Sequence, residues 1–351
     1  MNGGAFYGAP IEELTIPKSV TKIETGAFAS NADLKKVILK SNDYLEFIGQ
    51  HFLCGKGDAN NLIWISDYSS MKGTLKLPEG TGYFGYELPE KSRISKIILP
   101  STMETLKDGV FPEFINSIEV EGENKYFRCV NNFLYKTDGS LYWCKSTQDP
   151  LVFPDEVKAI LSFSLSYVSA NEIDFTNNIS DIRQLPFGWH IKNNVTTIKI
   201  GKNVRWINAR TKVFDRQVIV DPENEYFSES NGVLYDKNKT KVVKYHKKIK
   251  STDTISFEKN AKSIGNFAFW CQDEMKNLII PDGIETIEES AFSECNNVEK
   301  VEIPSSIKNI ASNAFSDMPK LTYIRMNTPK EQWPSGSPWG AVKGDKVMEQ
   351  K

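Results

Sequence analysis

The stretch Leu278-Ile279-Ile280-Pro281-Asp282-Gly283-Ile284-Glu285-Thr286-Ile287-Glu288-Glu289-Ser290-Ala291-Phe292-Ser293-Glu294-Cys295-Asn296-Asn297-Val298 decides the fold, because its pattern returns in phase on both sides. Ile255, Leu278, Val301 and Ile324 stand 23 residues apart, as do Ile264, Ile287 and Ile310, and Phe269, Phe292 and Phe315. A fixed period of this kind marks a solenoid, in which each repeat buries its apolar side only by stacking on its neighbours.

Upstream, the first full repeat is Leu14-Thr15-Ile16-Pro17, Val20, Ile23, Ala27-Phe28 and Leu34. Side chains alternate along an extended segment, so Leu14 and Ile16 point inward and Thr15 outward. Proline then ends the strand, because it cannot donate the next ladder hydrogen bond. Val20 and Ile23 begin a returning segment, and small Ala27 makes room for Phe28. The strands are expected to stack into one continuous parallel sheet, with the phenylalanines as an internal ladder behind it. Strand starts at 14, 37, 75, 97, 118, 151, 173, 198, 218, 255, 278, 301 and 324 give about thirteen coils. The middle section, with Ile173, Phe175, Ile179, Ile182 and Phe187, keeps the pattern loosely, and 173 is its weakest position. Val213-Phe214 recovers it.

Three inserts interrupt the rhythm. Ile118-Glu-Val-Glu-Gly-Glu-Asn124-Lys-Tyr126-Phe127 matches Val218-Ile-Val-Asp-Pro-Glu-Asn224-Glu-Tyr226-Phe227 at an offset of 100 residues. At that offset Asn132 to Tyr135 falls on Gly232 to Tyr235, and Leu141-Tyr142-Trp143 on Lys241-Val242-Val243. Asp138-Gly139 and Asp236 to Thr240 supply turn chemistry. A looser copy runs from Val37 through Asp43, Phe47, His51-Phe52-Leu53 and Asp58 to Leu62-Ile63-Trp64. Each reads as a β-hairpin projecting from the solenoid, at about 44-66, 121-146 and 221-246.

The unit Leu278-x-Ile280-Pro281-x-x-Ile284-x-x-Ile287-x-x-x-Ala291-Phe292-x-x-Cys295-x-x-Val298 resembles the BspA-like, or Treponema pallidum-type, leucine-rich repeat. The Asp-Pro-Glu-Asn-x-Tyr-Phe insert and the tail from Thr328 through Trp333 to Pro338-Trp339-Gly340 resemble that family too. The resemblance implies a mainly β, right-handed leucine-rich-repeat coil with a parallel strand sheet on one face. It also implies a bacterial or protist protein of the cell surface or secreted, acting in adhesion to host proteins or other cells. Fold likeness alone does not choose a ligand.

The 351-residue chain is 40% hydrophobic and 25% charged, the balance of a globular protein. A net charge of -2 gives no broad attraction to nucleic acid or anionic membrane. No apolar run is long enough for a membrane-spanning helix. Five cysteines, an odd number, do not form a disulfide framework. Cys129 and Cys144 flank one hairpin and could meet across it. Cys271 and Cys295 read as buried fillers beside the ladder phenylalanines.

No catalytic or cofactor motif stands out. His51, His190 and His246 lie far apart, without the spacing of a metal site, and His51 and His246 read as surface residues of the inserts. The pair Glu288-Glu289 reads as solvated turn surface. Asp236-x-Asn238-x-Thr240 alternates oxygen donors as a calcium loop does, but lacks the following glycine and distal glutamate, so it reads as an Asx-type turn. Lys241, Lys244, Lys247, Lys248 and Lys250 read as a solvated hairpin edge that discourages pairing. No enzyme activity, metal or cofactor is expected.

The outward strand positions carry the functional candidates. Ile38, Ile98, Glu119, Lys199, Ile219, Ile279, Glu302 and Tyr323 form a proposed partner-binding face. Branched residues suit parallel strands on either face, so strand propensity competes with binding as the reason for the isoleucines. Apolar residues among charges on a solenoid face also fit a docking surface. The expected partner is a protein or glycan bound by a monomer, with the hairpins as rival docking site; the alternative function is a spacer that displays them.

The solenoid is expected over 1-326 and a capping segment over 327-351, where Trp333 and Trp339 can cover the last coil. The chain opens on Ala5-Phe6, 22 residues before Ala27-Phe28, as the back half of a repeat. Its natural start, with any cap and export signal, is therefore expected upstream.

Overall fold

Alternating core and surface positions make the strands one-sided, and the stacking of successive coils makes them parallel. The protein, seen as a computed structural model, is described at residues 1–2, 4–24, 27–28, 31, 33–49, 51–56, 60–65, 72–85, 88, 92–176, 178–183, 194–210, 216–247, 255–341 and 347–350. Asp58, Phe187, His190, Val213, Phe214, Lys248 and Lys250 lie outside these residues. Two units emerge, Met1–Ser146 with Glu156–Val168, and Thr147–Asp155 with Ser169–Lys351. Each is a β-solenoid, and the described residues contain no α-helix.

In the first unit Glu13–Ile16 pairs parallel with Lys36–Leu39, and Lys72–Lys76, Arg93–Leu99 and Ser117–Val120 form a second parallel sheet. In the second unit Leu151–Val152, Glu172–Phe175, Thr197–Ile200 and Gln217–Val220 form one sheet. Asn277–Ile279, Lys300–Ile303, Tyr323–Met326 and Val347–Gln350 form another. The expected continuous sheet is thus a set of separate ladders. Three of them end on a strand that leads straight into an insert, because the chain then turns away before another coil can pair. Twelve of the thirteen expected positions carry strands. Position 173, the weakest by sequence, is regular, whereas Ile255 is buried without forming a strand.

The returning segments add a second ladder that the sequence did not announce. Thr81–Phe84 pairs with Thr105–Leu106 in the first unit. Ser263–Ile264, Thr286–Ile287 and Asn309–Ile310 pair in the second. Their single inward residues, Leu106, Ile264, Ile287 and Ile310, are buried.

The inserts are three-stranded meanders rather than projecting hairpins. Phe127–Val130, Phe133–Lys136 and Ser140–Cys144 pair antiparallel, and the last of them pairs parallel with Ala159–Ile160. Phe227–Ser230, Val233–Asp236 and Lys241–Tyr245 repeat this against Ser263–Ile264. Leu45–Ile48, Phe52–Gly55 and Asn60–Ile65 do so against Thr81–Phe84. The third strand of each insert therefore belongs to the second ladder. The first turn is of the mirror-image type favoured in tight hairpins, with positive φ at Asn131 and Asn132 and again at Asn231 and Gly232.

The second turn runs over 137–139 in one insert and 237–240 in the other. That extra residue moves the correspondence from 100 to 101. Leu134 opposes Trp143, and Leu234 opposes Lys244, so Lys244 and not Val243 takes the tryptophan's place.

Behind the strands the aromatic ladder forms by stacking. Tyr245, Phe269, Phe292 and Phe315 follow one another at 4.8, 4.9 and 5.5 Å between ring centroids. Phe153 and Phe175 stack at 5.4 Å, and Phe6 stacks on Phe28 at 5.9 Å. Backbone bonds accompany the rings: the amide of Phe269 donates to Ala291, that of Phe292 to Ala314, and that of Phe6 to Ala27. Phe315 donates to the carbonyl of Trp339, so Trp339, itself fully buried, stands in the place that Ala291 and Ala314 hold in the coils before it. Trp333 packs partly buried against the same core.

Candidate functional site

The registers sort the outward residues into rows. In the first unit Thr15 stands beside Ile38, and Ile98 stands between Lys76 and Glu119. In the second, Val152, Asp174, Lys199 and Ile219 form one row, and Ile279, Glu302 and Arg325 form another. Asp174 and Arg325 were not among the expected residues. Tyr323 is displaced from the Glu302 row: it pairs with Lys300, one row away on the same face, because Arg325 lies between the inward Ile324 and Met326.

Charges on these rows answer one another. Lys96 pairs with Glu119, and Lys76 reaches Glu121 at 2.7 Å. Glu172 meets Lys199 at 2.7 Å; its hydrogen bond holds the Lys199 ammonium above the usual lysine range. Glu302 lies 3.8 Å from Arg325. Such exposed pairs contribute little stability, at most about 1 kcal/mol each. They leave the apolar side chains as the distinctive feature. Ile219 is 41% and Ile279 53% exposed, whereas Ile38 and Ile98 are half-buried. Nothing in their packing requires Ile219 or Ile279 to be apolar.

Several expected surface groups are inside. Lys244 is buried, and its ammonium nitrogen donates to the carbonyls of Ala209 (2.9 Å) and Phe267 (3.2 Å). Burial pushes its pKa down to about 7, against smaller opposing effects from Cys271 and Cys295. His246 is also buried, with Nδ1 3.1 Å from the Arg216 carbonyl and Nε2 3.5 Å from Glu229. Desolvation lowers its pKa, while the Arg216 carbonyl and Glu229 oppose the shift. Strand alternation after the lengthened turn puts both side chains inward. Lys247 is exposed, as expected, and so is His51. Lys241 is held at 2.6 Å by Glu288, so that glutamate is a structural partner as well as surface.

The cysteines are all free. Cys129 and Cys144 lie on strands flanking Phe133–Lys136 from opposite sides, two strand spacings or about 10 Å apart, beyond disulfide reach. Cys295 donates to the Phe269 carbonyl at 3.2 Å, and burial raises its pKa to about 12, so it is an inert filler. The Asp236 carboxylate accepts from the backbone N–H groups of Thr240 and Lys241 and from the Thr240 hydroxyl, a closed turn. Among the described residues no three His, Cys, Asp or Glu side chains come together as a metal site, and no helix is long and apolar enough to cross a membrane.

What sequence reasoning quoted without assigning a role is the insert asparagine. Asn124 donates to the carbonyls of Pro100 and Met103, both at 2.9 Å, and accepts from the amides of Tyr126 and Phe127, both at 2.7 Å. Asn224 repeats all four bonds with Gly201, Val204, Tyr226 and Phe227. Asn42 donates to Val20 and accepts from Tyr44 and Leu45. Each insert is thereby pinned to the coil before it.

No curated protein matches the chain. Among solved structures it is similar to a leucine-rich repeat protein from Eubacterium ventriosum, at 19% identity and a TM-score of 0.45, covering 95% of this chain and 76% of that one. It is also similar to the pneumococcal vaccine antigen PcpA, at 14% identity and TM-score 0.41, with 80% and 81% covered. A leucine rich cell surface protein from Faecalibacterium prausnitzii matches at 15% identity and TM-score 0.33, with 94% and 63% covered. The profile of the BspA type leucine rich repeat region matches in 6 copies, over residues 1–74, 137–215 and 240–335. With the repeat, the paired ladders and the stacked phenylalanines in place across most of its length, the chain belongs to the BspA-type leucine-rich-repeat family.

Proposed function

We propose that this chain is a non-catalytic interaction module of a surface or secreted protein, binding a protein partner through the outer face of its strand ladders and serving adhesion. The observation that carries the reading is the exposure of Ile219 and Ile279, at 41% and 53%, on strands whose neighbouring charges are paired among themselves. Burying such side chains against a partner gains roughly 1.5 to 3 kcal/mol each when burial is complete. Mutually neutralised charges at the rim would add orientation more than affinity. The family resemblance supports the surface or secreted location.

The inserts are the less favoured docking site, because the third strand of each is built into the second ladder. The test is capture of extracellular matrix and serum proteins by the folded chain, and by a variant carrying Ile98→Ser, Ile219→Ser and Ile279→Ser. Capture by the parent and its loss in the variant, with the fold intact, supports the reading. Equal capture by both overturns it.

A further inference from the structure

Next to the third insert the chain forms a groove of about 540 Å³, lined by Lys202, Asn203, Arg205, Glu223, Glu225 and Tyr226. It lies within the second unit, at the turns that follow the strands Thr197–Ile200 and Gln217–Val220, and uses none of the outward strand residues. From this groove we infer a binding site for a neutral oligosaccharide.

Three observations carry the assignment. First, Tyr226 is 47% exposed, yet its backbone amide is fixed at 2.8 Å by the buried Asn224. A solvent-facing aromatic ring on a backbone anchored in this way offers an apolar platform with a polar tip, suited to the C–H face of a sugar ring. Second, the polar rim is balanced, with Lys202 and Arg205 against Glu223 and Glu225. A phosphate, sulfate or other polyanion would leave the two carboxylates facing its charge, and a lipid would leave all four charges desolvated. A ligand rich in hydroxyls, each both donor and acceptor, can satisfy guanidinium, amide and carboxylate together. Third, the ion pairs at the rim are loose. Lys202 donates a long hydrogen bond of 3.4 Å to Glu223, and Arg205, at 3.8 Å from Asp181, lies beyond hydrogen-bond range of it. The guanidinium thus keeps donor capacity for a ligand.

The insert pattern adds weight. Tyr44 holds the same place after Asn42 as Tyr226 after Asn224, and is 52% exposed. At these two inserts about half of the tyrosine is left open, whereas Tyr126, in the same place after Asn124, packs half-buried against the core.

The test titrates the full chain by calorimetry with chitotetraose, cellotetraose, maltotetraose and lacto-N-tetraose, with a heparin tetrasaccharide as polyanionic control. Saturable binding of at least one neutral sugar is expected. Tyr226→Ala and Arg205→Gln should each weaken it about tenfold or more, while Ile219→Ser and Ile279→Ser leave it unchanged. Both groove side chains are exposed, so the variants should fold, and circular dichroism checks this. Binding of heparin alone, no sugar binding at millimolar concentration, or neutral-sugar binding indifferent to both groove variants would overturn the assignment. Because the strand-face variants are separate, failure here and failure of the strand-face reading are told apart.

Discussion

Asn224 reaches back to the coil before its insert and donates to the Gly201 carbonyl at 2.7 Å, from a side chain with no exposed surface. All the hydrogen-bonding capacity of that amide is used, since its oxygen accepts two backbone N–H groups and its nitrogen donates to two carbonyls. Replacing it by Leu strands four backbone groups, in bonds of which three are buried and that of the Tyr226 amide part-buried. Asn224→Leu should lower unfolding stability by about 2 to 4 kcal/mol in a urea titration. Asn124→Leu should do the same; a change below 0.5 kcal/mol at both, on the order of a surface substitution, would mean the pin is not used.

Phe292 sits inside the aromatic column, stacked on Phe269 at 4.9 Å and Phe315 at 5.5 Å, and is fully buried. Phe292→Ala should cost about 3 to 5 kcal/mol, the usual cost of a buried phenylalanine. Chemical denaturation monitored by tryptophan fluorescence measures it. A near-neutral result would undo the register assigned to the coils around it.

Lys244 makes stability depend on pH in an identifiable window. Its pKa is about 7 when folded, against 10.5 for an ordinary lysine. Between these pH values the unfolded chain binds the proton and the folded chain does not, so the contribution to stability rises with pH through this window. It is fully present above the upper value and lost as pH falls through the lower one. A neutral amine keeps two N–H donors, enough for the Ala209 and Phe267 carbonyls. Melting temperature should therefore climb between about pH 7 and pH 10 in the parent relative to Lys244→Met, which removes the titrating group. Parallel profiles would contradict this.

Ile219 and Ile279 should be dispensable for folding. Serine at either position ought to change stability by less than about 0.5 kcal/mol, since both side chains already face solvent. Thermal melts of the single variants decide it, and a large loss would show that these residues serve the strands after all.

The coil itself was legible because it is local and repeated: Phe269, Phe292 and Phe315 fix a phase that every stacked contact obeys. Other features depend on contacts that no period records. The ladders end where inserts leave the sheet, and the strand missing at Ile255 lies inside the very run that set the phase. Lys244 and His246 looked like surface because one extra residue in the turn before them reverses which side chains face inward. Tyr323 falls one row off because the inward pair there is Ile324 and Met326, which leaves Arg325 as the residue between them. The insert asparagines were visible as a repeated letter, but their role needed carbonyls from the coil before, some 20 residues upstream. The outward isoleucines were legible by alternation alone; what covers them is set by a second molecule.

Hydroxyl-radical footprinting of the chain with and without a captured partner therefore tests the central claim most directly. Strand-face docking predicts that Ile219 and Ile279 are protected from oxidation in the complex, while exposed Tyr44 and Val130 of the inserts react as before. Unchanged oxidation of both isoleucines, with protection confined to the inserts, would contradict it.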